Sequence, residues 1–244
     1  QPQYIGFTDD QGTTWTQMDL PLTPEGDGSD EGLSPRVKPG GQGAIHFSIV
    51  ADPVNPNIVY VAGDRQDGPF TNFIGANNFS GRIFRGDTTR APGGPGSSPS
   101  PQWDHMTHSN AIAAIPLGGT ASGSSPHADS REMTFDANGN LIEVDDGGIY
   151  RRTSPRDNTG DWFSINGNLQ VFEFHNINYD TNSDILFGGA QDNGTPQQLS
   201  TGSLVWSAVS TADGGDVAVE TTSNPGFSTR YASFQNLGAF RRRH

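Results

Sequence analysis

Four acidic residues that open the same strand-and-turn pattern, and a composition rich in glycine and proline but thin in apolar side chains, predict an all-β fold: a β-propeller of four-stranded antiparallel blades. The acids are Asp52, Asp136, Asp180 and Glu220, spaced 84, 44 and 40 residues apart. A repeat of about 40 to 45 residues with four strands per unit is what a propeller blade requires. Of the 244 residues only 32% are hydrophobic, while 32 are Gly and 17 are Pro, a balance that gives many short strands separated by many turns.

The pattern is clearest in residues 126–152, PHADSREMTFDANGNLIEVDDGGIYRR. Met133 to Phe135 reads as a strand, Asn138-Gly139 as a tight turn, Leu141 to Val144 as a second strand, and Asp145 to Gly148 as an acidic turn into a third strand at Ile149. DPVNPNIVYVAGD (52–64) carries the same plan upstream, as do DTNSDILFGGAQDNG (180–194) and the segment from Glu220 to RYASFQNLGAFR (230–241) downstream.

The charge balance narrows the partners. A formal net charge of −13 repels phosphate backbones and anionic headgroups, so neither nucleic acid nor membrane insertion is expected. The chain has no cysteine, which removes disulfides and thiolate chemistry. No apolar run approaches the roughly 20 residues of a spanning helix, and none of these residues reads as a signal peptide, so a leader, where one exists, is expected to have been removed. Gln1 suits a processed or truncated start.

Taken in order, residues 1–20 form a partial blade. TDDQGTTW within it, with Thr8, Asp10, Gly12, Thr14 and Trp15, fits the Asp-box pattern. In that hairpin the acid accepts backbone N–H groups, the glycine takes positive φ and the tryptophan is expected to plug the gap to a neighbouring sheet. Residues 21–43 lack periodicity and read as a loop. Its acids Asp27, Asp30 and Glu31 have no EF-hand spacing, so they read as a solvated loop and no cofactor is expected; calcium is the alternative they would suit. Residues 44–104 form a blade, residues 108–167 another and residues 169–211 a third. Residues 213–244 supply three strands of a fourth. Thr153 to Trp162 looks like a degraded Asp-box between the third and fourth strands of its blade.

In such blades the turn joining strands two and three emerges on the same face as the segment entering strand one. That places Asp64, Asp145, Asp146, Gln191, Asp192, Asn193, Gln235 and Asn236 in one column. His127, Asp129, Arg131, His175 and Asp216 fall in another. The two columns converge on a polar, aromatic-poor channel mouth, the expected ligand site. Asp-Gly and Asn-Gly are also ordinary hairpin turns, so the same residues have a purely structural reading. His127 and Asp129 face one side, but His175 is the only third ligand on offer, so no metal site is assigned. His46, on an apolar strand, reads as a hydrogen-bonded core or channel residue.

The Asp-box, DPVNPNIVYV, PHAD, DGGIYR and QDNGT together resemble the bacterial secreted relatives of the BNR/Asp-box propellers, a superfamily that includes sortilin-type seven-bladed propellers and xyloglucan-active glucanases. The resemblance implies that this chain is part of a seven-bladed propeller, in a secreted or extracellular protein, with its exposed edges covered by further blades or another subunit. It lacks the cysteine-rich module of true sortilins, and no sialidase arginine triad can be assembled. The expected function is a binding module for a glycan or protein ligand at the channel mouth. The alternative is a glycoside hydrolase acting on β-glucan-type polysaccharide with paired carboxylates. The xyloglucan-active relatives imply a catalytic role for Asp145 in Asp-x-Gly-Gly-x-Tyr-Arg; its partner motif is not recognisable, and Asp192 or Asp64 would stand in.

Overall fold

The computed structural model describes residues 5–24, 30–32, 46–95, 97–109, 118–169 and 172–243. It is all-β, with two four-stranded antiparallel sheets among the described residues, and it divides into two compact units, residues 1–169 and 170–244.

The first unit begins with β1 (Gly6–Phe7) and β2 (Thr16–Gln17), followed by a hairpin of β3 (Leu22–Pro24) and β4 (Asp30–Gly32). A large sheet has the order β5 (Ser48–Ala51), β6 (Ile58–Arg65), β7 (Gly81–Asp87), β8 (Trp103–Ser109), β9 (Gly118–Thr120). A four-stranded sheet comprises β10 (Glu132–Phe135), β11 (Leu141–Asp145), β12 (Gly148–Arg152) and β13 (Trp162–Ser164). Strand β6 shows why the sheets stack. Its Ile58, Tyr60 and Ala62 join a core with Met133, Leu141 and Trp162 of the following sheet, whereas Val61, with Val59 against it, joins a core with Ile5 and Met18 of the preceding segment. A strand buried on both faces needs a continuous apolar run, and IVYVA is one.

The second unit holds β14 (Phe174–Asp180), β15 (Ile185–Ala190), β16 (Pro196–Gln198) and β17 (Trp206–Ala208) in one sheet. A second has β18 (Gly214–Glu220), β19 (Thr229–Phe234) and β20 (Arg241–Arg243), with a 3-10 turn at Gln235–Leu237.

The anchor acids do the same local job in both units. Asp52 Oδ1 accepts the N–H groups of Val54 and Asn55 at 2.8 and 2.9 Å. Asp136 Oδ1 accepts those of Asn138 and Asn140, both at 2.9 Å. Asp180 and Glu220 repeat the arrangement with Asn182 and Ser183, and with Thr222 and Ser223. Each carboxylate thus closes the turn between the first and second strands of its sheet.

Tryptophans stitch sheets together in the first unit. Trp103, at the start of β8, donates its indole N–H to the Asp19 carbonyl at 2.7 Å. Trp162, at the start of β13, donates to the Met106 carbonyl of β8 at 2.8 Å. Truncating either buried indole to alanine should cost about 3–5 kcal/mol.

Three sequence expectations need correction. Trp15, expected to plug a gap between sheets, is 59% exposed, because the indole sits on an outer hairpin with no sheet stacked over it among the described residues. The hairpin around it is nonetheless closed: Asp10 accepts the Thr14 N–H at 2.8 Å and the Thr14 hydroxyl at 2.7 Å. Residues 21–43, expected as loop, contain the β3–β4 hairpin, because Leu22 and Thr23 are buried and Arg82 donates to the Thr23 hydroxyl at 3.2 Å. Asp27 lies outside the described residues. The blade expected over residues 44–104 gains a fifth strand, β9, parallel to β8. Gly118 makes this approach possible: at φ 107° it lies so close to β8 that a Cβ would sit 2.2 Å from the His105 carbonyl oxygen.

Candidate functional site

Antiparallel pairing places the second-to-third turns at one end of every sheet, and the register shifts fall at that same end. They lie between Ala62 and Asp64, Phe174 and Asn176, and Gly214 and Val217. Bulges there twist the strand ends and re-aim the side chains beside the turns.

In the first unit this end gathers His127, Asp129, Arg131, Asp145 and Asp146. Arg131 donates its backbone N–H to Val144 at 2.8 Å and its guanidinium to Asp146 Oδ1 at 2.7 Å. A carboxylate oxygen of Asp129 lies within 4.8 Å of one from Asp146. The turn after β11 packs so tightly on the entering segment that a Cβ on Gly147 would come within 2.6 Å of the His127 Cβ. The His127 ring nitrogen Nδ1 is 3.3 Å from the Ala128 carbonyl. The β6–β7 connection joins the same place, with the Gly81 N–H donating to Pro126 at 3.1 Å. Asp64 sits on β6 opposite Arg82, and its side chain lies outside the described part of the molecule.

The electrostatics of this turn centre on Glu143, which the motifs alone do not single out. In LIEVD the alternation puts Leu141, Glu143 and Asp145 on the buried face of β11. Glu143 is fully buried, and neither of its carboxyl oxygens has a hydrogen-bond partner of good geometry. Burial, reinforced by the Asp145 charge, raises its pKa well above the carboxylate range. Burial also raises Asp145, to about 6, against the stabilising effect of Glu143 and of the Gly147 N–H it accepts at 2.7 Å. The pair therefore holds a proton at pH values where ordinary carboxyls have lost theirs, with Glu143 as its holder and Asp145 as the charged member. Tyr150, likewise outside the expected columns, is raised by burial and by these two acids. The signal for Glu143 lies in the strand alternation, which places the two acids two residues apart on one face.

In the second unit the corresponding end gathers amides. Gln191 donates to Asp213 Oδ1 at 2.9 Å, and the Asp192 N–H reaches the same oxygen at 3.1 Å. Asn193 donates to the Gln191 carbonyl at 2.9 Å, and Gln235 donates to Gln191 Oε1 at 3.0 Å. Asn236 takes φ 55° in the 3-10 turn. His175 Nδ1 lies 2.8 Å from the Gly214 carbonyl, and Asn176 donates to Asp216 at 3.1 Å. The second-to-third turns of neighbouring sheets are thus in direct contact within this unit.

At this end of the first unit the β6–β7 connection also carries Phe70 and Phe79, exposed and in contact with each other at 5.0 Å between ring centroids, a pair of aromatics that the expected polar columns do not include.

No protein-family model and no curated protein sequence matches the chain.

Proposed function

We propose that this chain supplies successive blades of an Asp-box β-propeller, part of a seven-bladed ring of the secreted bacterial type, and that its turn face binds a glycan. The observation that carries the binding role is the preorganisation of the face. In the first unit Arg131 is fixed by Asp146, and in the second, taken by itself, Gln191 is fixed by Asp213 and Gln235, so at each turn end donors and acceptors are already held before any ligand arrives. Ordered polar groups lose little entropy on binding, which favours recognition of a hydroxyl-rich ligand. On this reading other blades, or another subunit, cover Trp15 and the exposed strand β20. Trp15 stands at the start of β2 as Trp103 does at the start of β8, and its indole N–H would find a carbonyl on such a neighbour.

A glycan array probed with the purified chain tests this. Binding to one glycan class, weakened at least tenfold in Arg131→Ala, is the expected result. An array with no binder defeats it.

One observation favours the hydrolase alternative. A carboxyl with a pKa of about 6 suits a general acid, and Asp145 has that value. Glu143 is too deeply buried to touch a substrate, so the second carboxylate would have to be another residue. Release of reducing sugar from β-glucans, abolished in Asp145→Asn, would establish hydrolysis. No release from any of them would leave binding as the whole function.

A further inference from the structure

Residues 66–80 connect β6 to β7 and form an ordered platform rather than a slack loop. The Gln66 N–H donates to Ser80 at 2.7 Å, closing the base of the connection. The Gln66 side chain is buried, donating to Gly81 at 3.2 Å and accepting from Asn72 at 2.9 Å. Asn72 Oδ1 in turn accepts the Ala76 N–H at 2.9 Å, and Ile74 and Ala76 are buried beneath. The base also meets the segment entering the candidate site, through the Gly81 N–H bond to Pro126, and strand β8, through a 2.7 Å contact between the Ser80 hydroxyl and His108 Nε2.

On this platform Phe70 and Phe79 are 38% and 53% exposed. Their rings meet edge to face at an interplanar angle of 80°, and the Arg65 guanidinium lies 4.8 Å over the Phe79 centroid. Both rings are oriented by these contacts, yet neither is withdrawn into a core. Leaving about half of each of two large aromatic side chains in water forgoes burial that would stabilise the fold. Their surroundings are polar, with the Thr71 hydroxyl donating to Asn77 Oδ1 at 3.1 Å beside them.

We infer that Phe70 and Phe79 form a stacking platform for a neutral hexopyranose whose hydroxyls are equatorial. This inference rests on the glycan-binding reading and adds to it where the sugar lies. The chemistry matches in two respects. Such a sugar presents a flat face of axial C–H groups, which packs on the electron-rich face of an aromatic ring. Its hydroxyl rim lies in the ring plane, where amides and hydroxyls such as Asn77 and Thr71 are available. A chain of such units, β-linked, would extend from the platform toward His127 and the Asp145 turn.

Isothermal titration of the purified chain with cellohexaose and with chitohexaose is the test, alongside Phe70→Ala/Phe79→Ala, Phe79→Tyr and Phe79→Leu. Far-UV circular dichroism and the thermal midpoint of each variant report its folding. Binding of one sugar by the wild type, a tenfold or greater loss in the double alanine variant, a similar loss in Phe79→Leu and near wild-type affinity in Phe79→Tyr are expected. Equal binding by the wild type and a folded double variant would overturn the platform and leave the glycan reading intact. Equal binding by Phe79→Leu would show that apolar bulk suffices and overturn the stacking role. Failure of the wild type to bind either sugar would overturn the platform as proposed; the glycan array then decides separately whether the broader reading survives.

Discussion

The two units use one strand plan and handle its two ends differently. At the end closed by the anchor acids they agree: Asp52 in the first unit and Asp180 in the second each accept two turn N–H groups and an arginine, Arg156 and Arg230. At the opposite end they diverge. Beside the Asp145–Gly148 turn the buried pair Glu143 and Asp145 retains a proton, while the Gln191–Gly194 turn carries amides satisfied by one another and by Asp213. The first-to-second turn is therefore structural chemistry repeated because every sheet needs it, and the second-to-third turn is where the chain is free to vary its chemistry.

The likeness can be broken at the anchor. Burial opposes the charge on Asp180, but hydrogen bonds from Ser228 and Arg230 outweigh it and pull its pKa down to about 2. Arg230→Ala would leave that carboxylate buried without its cation, at a cost of about 3–5 kcal/mol in urea denaturation. Arg156→Ala should cost less, since the Arg156 side chain is 36% exposed against 22% for Arg230, and solvent screens the more exposed pair. Equal losses would mean that the two anchors depend on their arginines alike and that the expected difference does not exist.

The difference between the turns predicts a pH signature. Glu143 and Asp145 have folded-state pKa values above their unfolded ones, so their contribution is complete below about 4 and is lost as pH rises through about 6 and beyond. Glu143→Gln should remove most of that loss. At pH 8 it should be more stable than wild type by about 1–3 kcal/mol, with little change at pH 4. A variant less stable than wild type at pH 8 would show that the carboxyl has a partner there.

In the amide turn, Gln191→Ala should cost about 1 kcal/mol, the worth of an ordinary hydrogen bond, and leave the slope of stability between pH 4 and pH 6 unchanged. A changed slope would mean that this turn also controls a proton. The smallest effect is expected outside both turns. In the hairpin of residues 8–15, hydrogen bonds from Thr14 and Thr8 hold Asp10 at about 2, so Thr14→Val should raise that value toward the usual carboxylate range in an NMR titration, with no loss of fold.

Much of the strand plan is legible in the amino-acid sequence, and particular residues show why. Asn138-Gly139, the period-two alternation of LIEVD and the acid opening each repeat act within a few residues of themselves, so local sequence carries them. The grouping of His127 and Arg131 with the Asp145 turn follows from the same regularity. Glu143 is legible in principle, since two acids two apart on one strand must share a face, but only the depth of that face makes one of them keep its proton.

What the sequence by itself determined was the all-β character, the order of most strands and the turn chemistry of Asp52, Asp136, Asp180 and Glu220. Only the tertiary structure decided that Trp103 and Trp162 are buried while Trp15 is exposed, that β9 runs parallel beside β8, that Asp145 titrates near 6, and that Phe70 and Phe79 face water. These four outcomes depend on burial, which is set by whichever segments stack over a residue from far along the chain. No pattern in the residue's own neighbourhood records that.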